Sequence, residues 1–118
     1  MKTFRHGDVY LSQFPTDVSI EPGKRIPAVE RGTVLAYGEV TGHAHTLDPT
    51  KVELYELSDE FKALHDIPDA AAGRHLRVLE TVNLTHEEHG PITLEPGDYF
   101  TGIQIEWDDL EEWRRVAD

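Results

Sequence analysis

Two closely spaced pairs of histidines are the residues of this chain whose type and spacing could do chemistry. His43 and His45 lie two residues apart in the segment Gly-Glu-Val-Thr-Gly-His-Ala-His-Thr-Leu. In a strand, side chains at i and i+2 point to the same face with Cα atoms about 6.5 Å apart, so both imidazoles can bind one metal ion. His86 and His89 form the second pair. We expect the four side chains to face one another across a small β-barrel.

The second pair lies in the segment Thr-His-Glu-Glu-His-Gly-Pro, residues 85–91. Thr85 and Glu88 have the spacing of a capping box, and Gly90 followed by Pro91 is typical of a helix end. This pattern predicts a single helical turn, in which side chains at i and i+3 share a side. The turn would bring the two imidazoles together.

Three or four imidazoles that leave an open coordination position form a catalytic type of metal site. Glu87 and Glu88 are the candidate catalytic residues: either could bind the metal, accept a hydrogen bond from a ligating histidine, or act as a general base. We predict a divalent transition metal, namely Zn, Fe, Mn or Ni, as the cofactor. The predicted metal ligands are His43, His45, His86 and His89.

The sequence leaves two alternatives to metal binding open. The first pair could lie on an exposed strand edge and the second in a solvated turn. The four histidines could also form a metal-free polar cluster that binds a small molecule or titrates with pH. His6, beside Asp8 in a glycine-containing turn, could be a further ligand or a hydrogen-bond partner of one.

The segments that must position the histidines read as short strands separated by turns, which is typical of a barrel or sandwich. Short runs of β-forming residues bounded by turn signals predict strands over 9–14, 33–37 and 91–94, and alternation of apolar and polar residues predicts strands over 51–57, 75–84 and 99–107.

Local turn signals predict how these segments connect. The turn signal Asp48-Pro49-Thr50 suggests that residues 43–47 form a hairpin with 51–57. Ser58 indicates the start of a helical turn that ends near His65, and residues 15–32 read as a loop.

The end of the chain differs from the rest, because residues 108–117 predict a C-terminal helix. Asp108 can cap its start, and Arg115 near its end suits the helix dipole. We therefore predict a single all-β domain over residues 1–118, a small cupin-like barrel or sandwich over 1–107 with a short helix over 108–117.

Composition narrows the class of protein. The chain is 38% hydrophobic and has no cysteine, so disulfides and thiolate ligands are excluded and a cytoplasmic location is favoured. No apolar run reaches the roughly 20 residues of a membrane span. A net charge of −12 repels phosphate backbones, which argues against nucleic acid as a partner. The alternative function is a non-enzymatic accessory or inhibitory protein, with a small molecule or a protein as partner and a homodimer left open.

Two family resemblances follow from these motifs. Gly38-x4-His43-Ala44-His45 resembles the first motif of the cupin superfamily, and Gly90-x5-Pro96-Gly97 is similar to the second. In cupins the first motif supplies two metal-binding histidines and a glutamate, and the second supplies another histidine. His43 and His45 match the first two. Glu53 lies too far along the chain to match the glutamate, and no histidine follows Gly97.

The chain also resembles, over nearly its whole length, a set of small uncharacterised bacterial and phage proteins. The shared motifs are Arg-His-Gly-Asp (residues 5–8), Gly-Glu-Val-Thr-Gly-His-Ala-His (residues 38–45) and His-Glu-Glu-His-Gly-Pro-Ile (residues 86–92). This resemblance supports the importance of the histidines and implies no particular activity.

Overall fold

Short antiparallel strands make up most of the fold. The computed structural model describes residues 3–7, 9–14, 21–37, 43–64, 73–87 and 89–103. The strands within these ranges are β1 (Thr3–His6), β2 (Val9–Gln13), β3 (Arg25–Ile26), β4 (Thr33–Tyr37), β5 (Ala44–Leu47), β6 (Val52–Glu56), β7 (Arg74–Val78), β8 (Val82–Leu84), β9 (Ile92–Leu94) and β10 (Gly97–Ile103). The same ranges contain one helix, α1 (Asp59–Leu64), between β6 and β7 in the sequence.

The largest sheet has six strands in the order β1-β2-β10-β7-β6-β3, and each neighbouring pair is antiparallel. Strands β1 and β2 are sequential, with His6 paired to Val9 and Gly7 in a left-handed conformation at φ 63°. The last residue of β1 therefore lies next to a tight turn at the edge of this sheet.

Two separate hairpins complete the described fold. Strand β4 pairs with β5, with an irregular register between Val34 and Ala36, and β8 pairs with β9. A β-bridge between Thr46 and Thr85 joins one hairpin to the other. This bridge connects segments that are far apart in the sequence.

One hydrophobic core lies beneath these strands. Alternation places Val52 and Leu54 of β6 in the core, while the intervening Glu53 is only half-buried. Burying each such side chain stabilises the fold by roughly 1.5–3 kcal/mol. The buried core residues are Val9, Leu11, Leu35, Leu47, Val52, Leu54, Leu76, Val78, Val82, Leu84, Leu94 and Tyr99. They come from the six-stranded sheet and from both hairpins.

The all-β class predicted from the sequence is confirmed, and the arrangement of strands is compatible with a sandwich. The helical turn after Ser58 is also confirmed, because the Phe61 backbone N–H donates to the Ser58 hydroxyl oxygen at 3.1 Å at the start of α1. The predicted helix over 108–117 lies outside the described residues. Within the described ranges, no helix is long and apolar enough to cross a membrane.

Two predictions about strand pairing and continuity were wrong. Strand β5 forms its hairpin with the preceding β4, whereas β6 pairs with β7 and β3 in the larger sheet. The predicted strand over 75–84 is two strands, β7 and β8, which are separated by a bend at Leu79 and Glu80 and belong to different sheets. Alternation continues through the bend because both strands bury residues in the same core.

Two other local predictions also need correction. The predicted loop over 15–32 contains the two-residue strand β3 in its described part. The predicted helical turn after Thr85 is not helical in the described residues: Thr85 belongs to a β-bridge, and Glu87 and His89 lie in bends. The backbone of Thr85 exchanges hydrogen bonds with Thr46, and this pairing holds it extended.

Candidate metal centre

The bridge between Thr46 and Thr85 brings the two histidine segments together. The Thr46 N–H donates to the Thr85 carbonyl at 2.9 Å, and the Thr85 N–H donates to the Thr46 carbonyl at 3.0 Å. In an antiparallel pair with Thr46 opposite Thr85, His45 lies opposite His86. Because side chains alternate between the two faces, both imidazoles lie on the face away from the threonine side chains. Their ring centroids are 4.4 Å apart.

Three side chains at this junction could hold a metal ion. His43, His86 and Glu87 each offer one ligand atom, and these atoms lie within 4.8 Å of one another. His43 precedes β5, and the other two residues follow the Thr85 bridge. The cluster therefore depends on the pairing of two distant segments, and two imidazoles and a carboxylate are a donor set suited to divalent transition metals.

The carboxylate of Glu87 is fixed by hydrogen bonds on both of its oxygens. The Ala44 backbone N–H donates to Oε2 at 2.9 Å, and Arg31 forms an ion pair with Oε1. The hydrogen bond from Ala44 lowers the pKa of Glu87, with further lowering from its own backbone N–H, from Arg31 and from His43. Glu87 is therefore an anion at neutral pH, as a metal ligand must be.

His45 and His89 lie in the same cluster, beside His86. The His86 and His89 ring centroids are 4.6 Å apart, and those of His45 and His89 are 5.8 Å apart with nearly parallel planes. His45 is buried, whereas His89 is exposed. The His89 backbone N–H lies 3.4 Å from His86 Nδ1, which is at the long end of the hydrogen-bond range.

His6 makes a hydrogen bond with each of its ring nitrogens. Its Nε2 lies 2.8 Å from the Gly90 carbonyl oxygen, and its Nδ1 lies 2.9 Å from His45 Nδ1. Burial lowers the pKa of His6 below the ordinary 6.5; the Gly90 carbonyl raises it, and the neighbouring His89 and His86 lower it further. His6 is therefore neutral at neutral pH and is engaged as a hydrogen-bond partner of His45.

The turn at Gly7 lies directly against the cluster. A Cβ atom built on Gly7 would be 2.7 Å from His89 Nε2 and 3.1 Å from His45 Cε1. Only a residue without a side chain allows both imidazoles to approach this backbone so closely.

The four predicted histidines lie close together, but their positions in the cluster differ. His43 and His86 lie with Glu87, whereas His45 and His89 flank them. Glu88, the second candidate catalytic residue, lies outside the described residues. His6 is a partner of His45, one of the two roles that its position in the sequence suggested.

The sequence did not indicate Arg31, which interacts with Glu87. An arginine in a segment that reads as a loop carries no pattern that would distinguish it from any other surface charge. The sequence also did not indicate the buried contact of His75, which is fully buried in β7 and whose Nε2 donates to Asp98 Oδ1 at 2.7 Å.

The fold and the cluster together define a small β-rich domain with a histidine- and glutamate-lined junction between two hairpins. The chain belongs to the family described as a domain of unknown function, DUF8820, whose model matches residues 5–104. That match covers every described residue of the cluster. Neither the curated proteins nor the solved structures include a match to this chain.

Proposed function

We propose that this domain binds a divalent transition metal, with His43, His86 and Glu87 as its primary ligands and His45 as a fourth, and that it uses the ion in hydrolytic or oxygen chemistry on a small molecule. The observation that supports this most directly is the convergence of three ligand atoms within 4.8 Å across the hairpin junction. His89, which is exposed and has its ring centroid 4.6 Å from that of His86, is a further donor at the margin of the cluster.

The spacing of the donors is compatible with closure around an ion. Ligands at about 2.0–2.2 Å from a tetrahedral ion are roughly 3.4 Å from one another. The donor atoms would therefore have to move inward by about an ångström or less, which side-chain rotation can supply. His43 and His86 are both partly exposed, which leaves room for such rotation.

The identity of the donors indicates what kind of ion and chemistry to test. Two histidines and one carboxylate that leave coordination positions open occur in zinc hydrolases and in non-haem iron oxygenases. A metal held in this way would polarise a substrate oxygen or activate a bound water. Arg31 and the Ala44 N–H would keep Glu87 ionised and oriented toward the ion.

Elemental analysis of protein purified without a His-tag or a metal column tests the proposal. We expect about one equivalent of Zn, Fe, Mn or Ni that persists through dialysis. Protein that contains none of these, and gains no thermal stability when any of them is added, would refute the proposal. The element found determines whether hydrolase or oxygenase substrates are tested next.

Variants locate the ion within the chain. His43→Ala and Glu87→Gln should each weaken metal binding at least tenfold, because each removes one primary ligand. Glu80→Gln is the matched control, since Glu80 is an exposed carboxylate in the bend between β7 and β8. Unchanged affinity in both ligand variants, with the metal still bound stoichiometrically, would place the ion elsewhere.

A further inference from the structure

The protons in the hydrogen bonds of His6 can be assigned from the chemistry of its partners. The Gly90 carbonyl oxygen can only accept, so the proton in the 2.8 Å contact belongs to His6 Nε2. A neutral imidazole carries one N–H, and therefore His6 Nδ1 presents a lone pair. The 2.9 Å contact between His6 Nδ1 and His45 Nδ1 then requires the proton on His45 Nδ1.

This assignment determines which nitrogen of His45 can bind a metal. With its proton on Nδ1, neutral His45 has its lone pair on Nε2, the nitrogen that a ligating histidine must use in this tautomer. The neighbouring atom Cε1 is 3.1 Å from the Cβ position at Gly7, and His89 Nε2 is 2.7 Å from the same point. The His45 ring itself lies among the other imidazoles, with its centroid 4.4 Å from that of His86 and 5.8 Å from that of His89.

We infer that His6 is a positioning residue, which fixes His45 in the Nδ1–H tautomer and so presents His45 Nε2 as a metal ligand. Histidine ligands in proteins commonly donate their second N–H to a carbonyl or carboxylate. Here the acceptor is a neutral histidine, His6, whose own orientation is fixed by its hydrogen bond to the Gly90 carbonyl. The role of His45 as a ligand rests on the proposed function, whereas the tautomer does not.

In these two hydrogen bonds the side chain at position 6 accepts from His45 Nδ1 and donates to the Gly90 carbonyl. His6 is itself only 3% exposed, so a side chain that lacked either group would leave His45 Nδ1 or the Gly90 carbonyl without this buried partner. Glutamine has both groups, because its amide oxygen can accept from His45 and its amide N–H can donate to Gly90. Alanine has neither.

Long-range ¹H–¹⁵N correlation spectra of the metal-free protein test the tautomer. At a pH well above the ordinary histidine value of about 6.5, His45 should show a protonated Nδ1 and an unprotonated Nε2, and His6 the reverse. In His6→Ala, His45 should shift toward the Nε2–H form, and in His6→Gln it should keep the wild-type pattern. A wild-type protein in which His45 is an Nε2–H tautomer would overturn the inference.

Metal titration of the same variants tests the consequence. His6→Ala should weaken metal binding by about 10- to 100-fold, as expected when the hydrogen-bond partner of a ligand is lost, and His6→Gln should restore most of that affinity. Equal affinity in all three proteins would overturn the positioning role even if the metal binds as proposed. A wild-type protein with the expected tautomer but no metal binding would refute the proposed function and leave the His6–His45 assignment in place.

Discussion

Gly7 shows how a single residue limits the geometry of the cluster. Its φ of 63° lies in the left-handed region, which is costly for residues with a side chain. The space is closed as well, because a Cβ atom would lie 2.7 Å from the Nε2 atom of His89. Backbone conformation and close contact therefore both require glycine at this point.

Gly7→Ala should reduce the free energy of unfolding by about 1–3 kcal/mol and also weaken metal binding, because the added methyl group displaces His89 and His45. Urea denaturation and metal titration measure the two effects. Gly90→Ala is the matched control, since a Cβ atom there meets nothing within 4 Å. The explanation fails if Gly7→Ala is no more destabilising than Gly90→Ala.

At the scale of elements, the sequence predicted where strands occur better than how they pair. Strand β4 was predicted with the bounds it has, because a short run of β-forming, mostly apolar residues is a local signal. The Asp48-Pro49-Thr50 turn suggested a hairpin, yet β5 and β6 belong to different sheets. The strand with which a given strand pairs depends on how distant segments pack into one core. The alternation of residues within a strand contains no information about its pairing partner.

The same limit applies to the candidate site. Spacing within His43–His45 and within His86–His89 could be read directly, and the meeting of the two segments was inferred from residue types alone. The Thr46–Thr85 bridge that joins them involves two ordinary threonines with no local signature. The central position of His86, and the interaction of Arg31 with Glu87, follow from that bridge and could not be derived from the sequence.

The pairing of β7 with β10 contains a partly buried polar interaction whose strength depends on pH. Asp98 Oδ1 accepts from His75 Nε2 at 2.7 Å and from Arg77 Nε at 2.9 Å. Burial raises the pKa of Asp98, but the hydrogen bonds from His75 and Arg77 outweigh it, so the pKa lies below the ordinary 3.8. The native state therefore binds the Asp98 proton more weakly than the unfolded state does.

Asp98→Asn should lower the free energy of unfolding at neutral pH by about 1–2 kcal/mol, since charge-assisted hydrogen bonds to two residues of β7 are weakened. The stabilisation from Asp98 is present above pH 3.8 and is lost as the pH falls through its lowered native pKa. The free energy of unfolding, measured by denaturant at a series of pH values, should therefore fall less steeply below pH 3.8 in the variant than in the wild type. Glu80→Gln, on an exposed bend, should leave the acid limb as it is in the wild type.

At the scale of the whole molecule, one core supports both the large sheet and the hairpins that carry the cluster. Leu76 of β7 and Leu84 of β8 are fully buried in the same set of residues. The net charge of −12 adds a general attraction for cations. Metal binding and folding should therefore be linked, because the ligands come together only when the hairpins are paired.

This linkage predicts that core stability and metal-dependent stability can be separated by mutation. Leu76→Ala should cost about 2–5 kcal/mol through the cavity it leaves, yet a free metal concentration of roughly 100 times Kd should still add about 2.7 kcal/mol, as in the wild type. His43→Ala should leave the metal-free protein closer to wild-type stability and lose most of that increment. Leu64→Ala is the control for the leucine change, because Leu64 is 64% exposed at the end of α1. If metal stabilises Leu76→Ala and His43→Ala equally in denaturant titrations, the ion does not bind at the junction of the hairpins.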